Sequence, residues 1–380
     1  MPLNPSRLAD NFVQLCEIDS PSRYEGALAD FIQGLFITEF NAEILEDNSA
    51  SSTGSETGNL VIRFPARSKV PPRFFFNCHL DTVEPARGVR VVRNGDTFFS
   101  AGPTILGADD KAGIAMLIEM ARCLKEDGAL VRPLEFVFTT CEEIGLLGAK
   151  HFDFSLLRAG SGFALDSAGV DLAVVAAPAA NHFVAEIKGV AAHAGLHPEN
   201  GINAIQLAAF ALTSLPHGRL DNESTANIGL ISGGKATNIV PDLARVEGEV
   251  RSHNLQKLIE YSEQIEAAFR QAVERYGVIS SSSNGGSRAT LDFLVEEQFP
   301  SMRIVEDAPV LQALVAAASR LNRGITFTVA GGGSDANIFN AHGLPTAILG
   351  TGMTDVHTTD ESITLHSLLR VTELLLALPR

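Results

Sequence analysis

"LEFVFTTCEE", residues 134–143, is a nearly continuous apolar run that ends in two adjacent glutamates. Apart from Glu135 it keeps no polar face, which is the pattern of a strand buried on both sides, as in a parallel sheet covered by helices. Successive strand residues point to opposite faces, so Glu142 and Glu143 cannot do the same job from a regular strand. Two adjacent carboxylates also repel, and taking either out of water is costly unless a cation or a hydrogen bond compensates. The stretch therefore predicts an α/β sheet with a charged site at the carboxyl ends of its strands, where such sheets bind ligands.

The neighbouring segments fit that frame. "NLVIRFP" (59–65) reads as a strand, "PPRFFFNCHLD" (71–81) as a second strand buried on both faces, and "SGFALDS" (161–167) as a third. Residues 111–126 have the apolar spacing of a helix, and residues 6–40 carry a helical rhythm interrupted at "DSPS", a turn and helix-start signal. Strands alternating with helices predict a mostly parallel central sheet with flanking helices. Between 181 and 297 the order changes to β-α-β-β-α-β, the ferredoxin-like α+β unit, with a Ser/Gly-rich loop "SSSSNGGS" before its last strand. From Pro309 the helix–strand alternation resumes. The expected architecture is thus a discontinuous catalytic α/β domain, 1–180 and 298–380, with an inserted lid domain, 181–297.

Composition excludes several classes. The 380 residues are 45% apolar and 19% charged, as in a packed globular enzyme. The 45 acidic and 29 basic side chains give a formal charge of −16 and no basic cluster. That disfavours nucleic acid and anionic membrane as partners. The N-terminus lacks the apolar core of a signal peptide, and no apolar run reaches spanning length. Cys16, Cys78, Cys123 and Cys141 show neither close pairing nor a zinc-ribbon pattern, and are expected to be reduced, buried thiols of a cytoplasmic protein.

The strand ends supply the chemistry. They read His79-Leu80-Asp81, Thr140-Cys141-Glu142-Glu143 and Leu165-Asp166, while two loops carry Asp109-Asp110-Lys111 and Asp355-Val356-His357. Oxygen and imidazole groups without thiolates suit a divalent metal with room for water. A carboxylate at Asp81 can accept from the His79 imidazole and fix its tautomer. Taken singly, each segment has a bland reading: a solvated strand exit at His79 and Asp81, or a helix N-cap at Asp110. Five such segments in one α/β domain carry the weight together.

"HLDTV", "GADDKAG", "CEEIGLLGA", "LDS" and "VHTTDE", in that order around an inserted domain, resemble the two-zinc peptidase family. "TILGADDKAGIA", "KGVAAHAGLHPENGINAI", "NIVPDLARVEGEVRSHN" and "GGGSDANIFNAHGLP" are most similar to its peptidase T-like branch. The resemblance implies that His79 and Asp166 bind one metal, that Glu143 and His357 bind the second, and that Asp109 bridges both, with a cis peptide to Asp110. It implies Asp81 as the orienting partner of His79 and Glu142 as general base. It also implies substrate contacts from His193, Asn238, Arg251, Gly332 and Ser334. On residues alone, His193 and His197 also fit surface positions, and Arg251 also fits a pair with Glu249 or Glu247. The Gly331–Ser334 loop lacks the Lys-Ser/Thr ending of a phosphate-binding loop.

The expected cofactors are two divalent ions, zinc foremost, with cobalt or manganese as alternatives. The expected activity is hydrolysis of short peptides, releasing an N-terminal residue, in a homodimer joined through the lid. Two rivals stand beside it: a carboxypeptidase or N-acyl amino acid deacylase on the same metals, and a non-catalytic metal-dependent binding protein.

Overall fold

The computed structural model describes residues 3–64, 71–128, 133–279 and 286–379, so most of the Ser/Gly-rich loop lies outside the described residues. The chain divides into two compact units. One comprises Met1–Ala177, Met302–Ala330 and Ser334–Arg380; the other comprises Pro178–Ser301 and Gly331–Gly333. The triple glycine therefore belongs with the second unit, where sequence order alone puts it in the first.

The first unit is built on a nine-stranded sheet. Its middle is parallel: Phe75–His79 lies between Glu135–Thr139 and Gly162–Ser167, and Thr346–Gly350 pairs with Gly162–Ser167. The flanks bring antiparallel pairs, through Glu43–Glu46 and Leu60–Arg63 on one side and Leu172–Ala177 with Met302–Arg303 on the other, where Thr326–Val329 also joins Leu172–Ala177 in parallel. The expectation of a mostly parallel sheet is corrected to a mixed one. One reason is connection length: only residues 168–171 separate Gly162–Ser167 from Leu172–Ala177, too few for a crossover, so the chain reverses and Leu172–Ala177 runs antiparallel to Thr346–Gly350, which lies between the two.

Alternation along these strands covers both faces. Phe76, Cys78, Phe136, Phe138, Phe163 and Leu165 join the large core formed with the helices Pro5–Cys16, Gly26–Phe40, Ala108–Glu126, Pro309–Arg320 and Leu365–Ala377. Val61, Phe75 and Val137 face a smaller cluster with Phe152 and Phe339. Asn77 and His79 follow Phe75 at two-residue steps and are buried too. The Ala108–Glu126 helix approaches closely because position 113 is glycine. A Cβ there would stand 2.7 Å from Cys78 Sγ. A small three-stranded sheet of Val91–Asn94, Thr97–Ser100 and Ser362–Thr364, absent from the sequence reading, secures the end of the loop that carries His357.

The second unit has an antiparallel sheet in the order Gly218–Arg219, Ser224–Gly233, Leu243–Ser252, Ala179–Lys188, Thr290–Phe299. Helices Ala204–Leu212 and Leu255–Tyr276 cover one face through Leu207, Ala211, Ile265 and Phe269, which pack on Phe183, Val246 and Val250. This is the ferredoxin-like arrangement. Among the described residues no helix is long and apolar enough to cross a membrane, and all four cysteines are unpaired and buried.

Phe136 is fully buried, with its ring centroid 4.9 Å from Phe64, 5.9 Å from Phe36 and 6.0 Å from Phe76. Phe136→Ala is expected to cost about 3–5 kcal/mol in urea unfolding. A loss below about 1 kcal/mol would mean that the rings do not pack as one unit.

Candidate metal and catalytic centre

The parallel register brings the strand ends to one edge, because His79 stands directly opposite Thr139. The two glutamates follow Thr139 by three and four residues, and Asp166 lies at the end of the next strand on the other side of His79. Asp109 arrives from the irregular start of the Ala108–Glu126 helix, where Asp109 (φ −84°, ψ 104°) and Asp110 (φ −115°, ψ 25°) are not helical and their peptide bond is cis. Gly107, at φ +77°, makes the preceding turn in a region that favours glycine.

Asp109 is central. Its Oδ1 lies 3.2 Å from His79 Nε2 and its Oδ2 lies 3.3 Å from His357 Nε2. His357 Nε2 is also 3.1 Å from Glu143 Oε1. His79, Asp109 and Asp166 therefore form one group whose ligand atoms lie within 4.8 Å of one another; Asp109, Glu143 and His357 form another. A third group joins His79 and Glu143, one from each of the first two, to Glu142. The first two groups share only Asp109 and leave Glu142 over.

Asp81 departs from expectation. His79 Nδ1 is 2.8 Å from the Asp81 backbone carbonyl and 3.6 Å from its carboxylate. The carbonyl thus fixes the tautomer, leaving Nε2 to face Asp109. The carboxylate instead accepts the backbone N–H groups of Glu142, at 2.8 Å, and Glu143, at 3.1 Å, together with the Ser22 hydroxyl at 2.6 Å. Asp110 is not an N-cap: it turns back to the sheet, where its Oδ2 accepts the His79 N–H at 3.3 Å. Glu361 was missed. It is fully buried, and its two oxygens accept the N–H groups of Gly107 at 2.7 Å and Asp109 at 3.0 Å, tying the two metal-site loops together. Its position four residues after His357, in "VHTTDE", was the available signal.

The remaining expected site residues fall into two sets. Ser334, in the first unit, caps the helix Asp335–Ala341 by accepting the Ala336 N–H, and it hydrogen-bonds Asp166. It holds a candidate ligand, where a substrate contact was expected. His193, Asn238, Arg251 and Gly332 lie in the second unit. His193 Nδ1 accepts from the N–H groups of Gly195 and Leu196, and the Asn238 carbonyl accepts from Ala194. Arg251 pairs with Glu249 at 2.9 Å, its bland alternative, and its Nη1 reaches the Gly331 carbonyl beside Gly332.

The electrostatics fit a cation site. Burial opposes a charged imidazole at His79, but the Asp109 and Asp81 carboxylates outweigh it and raise its pKa well above the ordinary value. Burial alone would raise Asp109, yet His357 and His79 hold it below the usual carboxylate range. Burial raises Glu142 and Glu143, and burial followed by the Asp109 charge pushes Asp166 up to about 8. Hydrogen bonds to Asp109 and Glu143 lift His357 to about 10. Four largely buried carboxylates thus face the buried His79 and the half-exposed His357, and protons offset the charge that divalent cations would otherwise neutralise. The donor set of imidazole nitrogens and carboxylate oxygens fits zinc, cobalt or manganese.

Comparison with known proteins agrees. Sequence models of the peptidase dimerisation domain and of peptidase family M28 match residues 179–277 and 59–190. The chain is 36% identical to the Bacillus subtilis protein YqjE over 99% of its own length and 98% of the relative's. The crystal structure of aminopeptidase PepT from Bacillus cereus is 37% identical, covers 99% of this chain and 98% of its own, and superposes with a TM-score of 0.86. A tripeptidase from Staphylococcus aureus is 33% identical, covers 100% and 98%, and gives a TM-score of 0.90. The fold and the near full-length similarity to these peptidases define a metallopeptidase, and its strand-end cluster offers two overlapping groups of candidate metal ligands. Within that class the chain belongs to the peptidase T-like family.

A cation entering this cluster takes the lone pairs that protons occupy on His357 and Asp166. Both pKa values are raised, so both groups hold protons at neutral pH and must release them. Metal uptake should therefore liberate protons, and affinity should fall about tenfold per pH unit below about pH 8 for each proton displaced. Calorimetric titration in two buffers of different ionisation enthalpy checks this; a buffer-independent heat would contradict it.

Proposed function

We propose that the protein is an aminopeptidase of short peptides, tripeptides foremost, working with two divalent ions, zinc foremost. In this reading His79, Asp109 and Asp166 hold one ion, and Asp109, Glu143 and His357 hold the other. The observation that supports it best is the pair of ligand groups that overlap at Asp109 alone and need no oxygen from Glu142, although Glu142 lies within reach of His79 and Glu143 in a third group. The near full-length similarity to an aminopeptidase and a tripeptidase supports the substrate class.

Bound metals supply Lewis acidity, acidifying a water and polarising the scissile carbonyl. Glu142 takes a proton from the attacking water and delivers it to the leaving amine. Its burial, reinforced by the Asp166 charge, raises its proton affinity, the direction that strengthens a carboxylate as a base. Asp81 keeps Glu142 and Glu143 turned to their separate tasks through their amides. In the second unit, His193 has Nδ1 occupied as an acceptor, which leaves Nε2 as its donor, suited to an oxyanion. Arg251 suits a substrate carboxylate through its planar fork of donors, and among the described residues its buried Nε has no hydrogen-bond partner. Asn238 and Gly332 stand beside these two in the chain's fold and complete the proposed substrate contacts.

A homodimer through the second unit is part of the same reading. It is supported by the match to a dimerisation domain and by the edge of its sheet, where Leu230 and Ile231 are 65% and 57% exposed. Four unpaired cysteines suit a reducing, cytoplasmic setting.

Glu142→Ala should keep its metal and lose about 10²–10⁴-fold in kcat; retained turnover would remove the base assignment. Replacing Asp109 should abolish metal binding far more completely than replacing Asp110. The substrate class is decided by mass spectrometry on free tripeptides, N-blocked peptides, C-amidated peptides and N-acyl amino acids with zinc, cobalt or manganese. Cleavage requiring a free amine is expected; cleavage requiring only a free carboxylate would favour a carboxypeptidase or deacylase.

A further inference from the structure

The turn that presents Glu142 and Glu143 is held from outside. The strand ends at Thr139, and the next four backbone N–H groups are each accepted by a side chain from elsewhere in the first unit. Asn59 Oδ1 accepts from Thr140 at 3.0 Å and Glu25 Oε1 accepts from Cys141 at 3.0 Å; Asp81 then takes Glu142 and Glu143. Cys141 is the hinge of this turn. Its φ of +53° lies in the left-handed region, which is strained for a non-glycine residue. Such a conformation persists only where its surroundings determine it.

Glu25 stands in the segment that begins with "DSPS", which the sequence reading took as a turn and helix start. That segment braces both strand ends. Ser20 Oγ donates to the Leu80 carbonyl at 2.8 Å, Ser22 Oγ donates to Asp81, and Pro21 pairs with Thr82. Glu25 occupies the N-cap position of the helix Gly26–Phe40, yet its side chain makes no capping bond there. Its carboxylate, fully buried, goes instead to the Cys141 N–H, to Cys141 Sγ at 3.3 Å and to the Ser55 hydroxyl at 2.6 Å. A buried carboxylate beside Asp81 is an expensive way to cap nothing.

We infer that Glu25 is a positioning residue for the hydrolytic reaction, fixing the Cys141 hinge and through it the directions of Glu142 and Glu143. The inference rests on the proposed roles of those two glutamates as base and metal ligand. Glu25 acts by hydrogen-bond geometry, and it moves no proton. Glutamine at this position keeps an oxygen for the Cys141 N–H, and the Ser55 hydroxyl can rotate to accept from its amide. Alanine leaves the Cys141 N–H unpaired, and aspartate falls one methylene short of it.

The test uses the cobalt-loaded enzyme with Glu25→Gln, Glu25→Asp, Glu25→Ala and Glu142→Ala, each shown to be folded by its ellipticity below its melting temperature. Glu25→Ala and Glu25→Asp are expected to lose about 10–100-fold in kcat with KM changed less than about threefold, the scale of an ångström-size misplacement. Their visible cobalt spectra should shift, and competition with a chromophoric chelator should show weaker binding of the second equivalent. Glu25→Gln should restore all three to near the parent values. Unchanged kcat and spectrum in Glu25→Ala would make the residue merely structural and overturn the inference. So would a Glu25→Gln variant as impaired as Glu25→Ala, which would point to the charge. If Glu25→Ala does not fold, the contrast between the Gln and Asp variants decides in the same way. An active Glu142→Ala would remove the base assignment itself, whatever the Glu25 variants do; an inactive one beside a fully active Glu25→Ala removes only this inference.

Discussion

Four carboxylates gathered among two imidazoles, largely out of water, are the constraint on which the rest of the first unit depends. Charges of one sign in a low-dielectric cluster repel, and each loses hydration on burial. Protons relieve this when cations are absent, which is why Asp166 and His357 hold theirs at neutral pH. Divalent cations relieve it further. The cluster thus stores affinity for metal, and the fold around it has to keep the carboxylates together while they are least comfortable.

That task falls on hydrogen bonds to the backbone. The ligand-bearing loops are short and several of their residues adopt unusual conformations: Cys141, Asp355 and His357 are left-handed, and Asp109 and Asp110 break the start of their helix. Carboxylates that face away from the reaction take up the amides these irregular segments expose. Asp81 takes Glu142 and Glu143, Glu361 takes Gly107 and Asp109, and Glu25 takes Cys141. Charge-assisted bonds of this kind are short and directional, so they set side-chain direction where secondary structure no longer does. An outer layer of acids thereby supports an inner layer of acids.

Several of these features were readable in advance and others were not. The residues of the inner cluster were legible because each ends an apolar run or sits in a glycine-flanked loop, where a buried acid or imidazole stands out. The role of Asp81 was only partly legible: spacing of two residues implies a shared face, but not that the carbonyl would take Nδ1 at 2.8 Å while the carboxylate, 3.6 Å away, also holds the amides of Glu142 and Glu143. Glu361 and Glu25 were passed over because, in sequence, an acid after "TTD" or before a helix resembles a solvated one. The strand Leu172–Ala177 is a short apolar run that periodicity alone cannot tell from a helical segment; its pairing with Thr346–Gly350 and Thr326–Val329 settles it.

The amino-acid sequence by itself determined the fold class and the chemical character of the centre. Two-sided apolar strands require a helix-covered sheet, the change of pattern at 181 requires a second kind of unit, and an oxygen- and nitrogen-rich donor set without thiolates restricts the metals. Only the tertiary structure decided which acids touch the histidines and which hold the backbone. That division depends on distances between segments more than 200 residues apart, as between Asp109 and Glu361. Sequence spacing carries periodicity within a strand or helix, whereas the meeting of separate loops is set by sheet register and the packing of helices upon it.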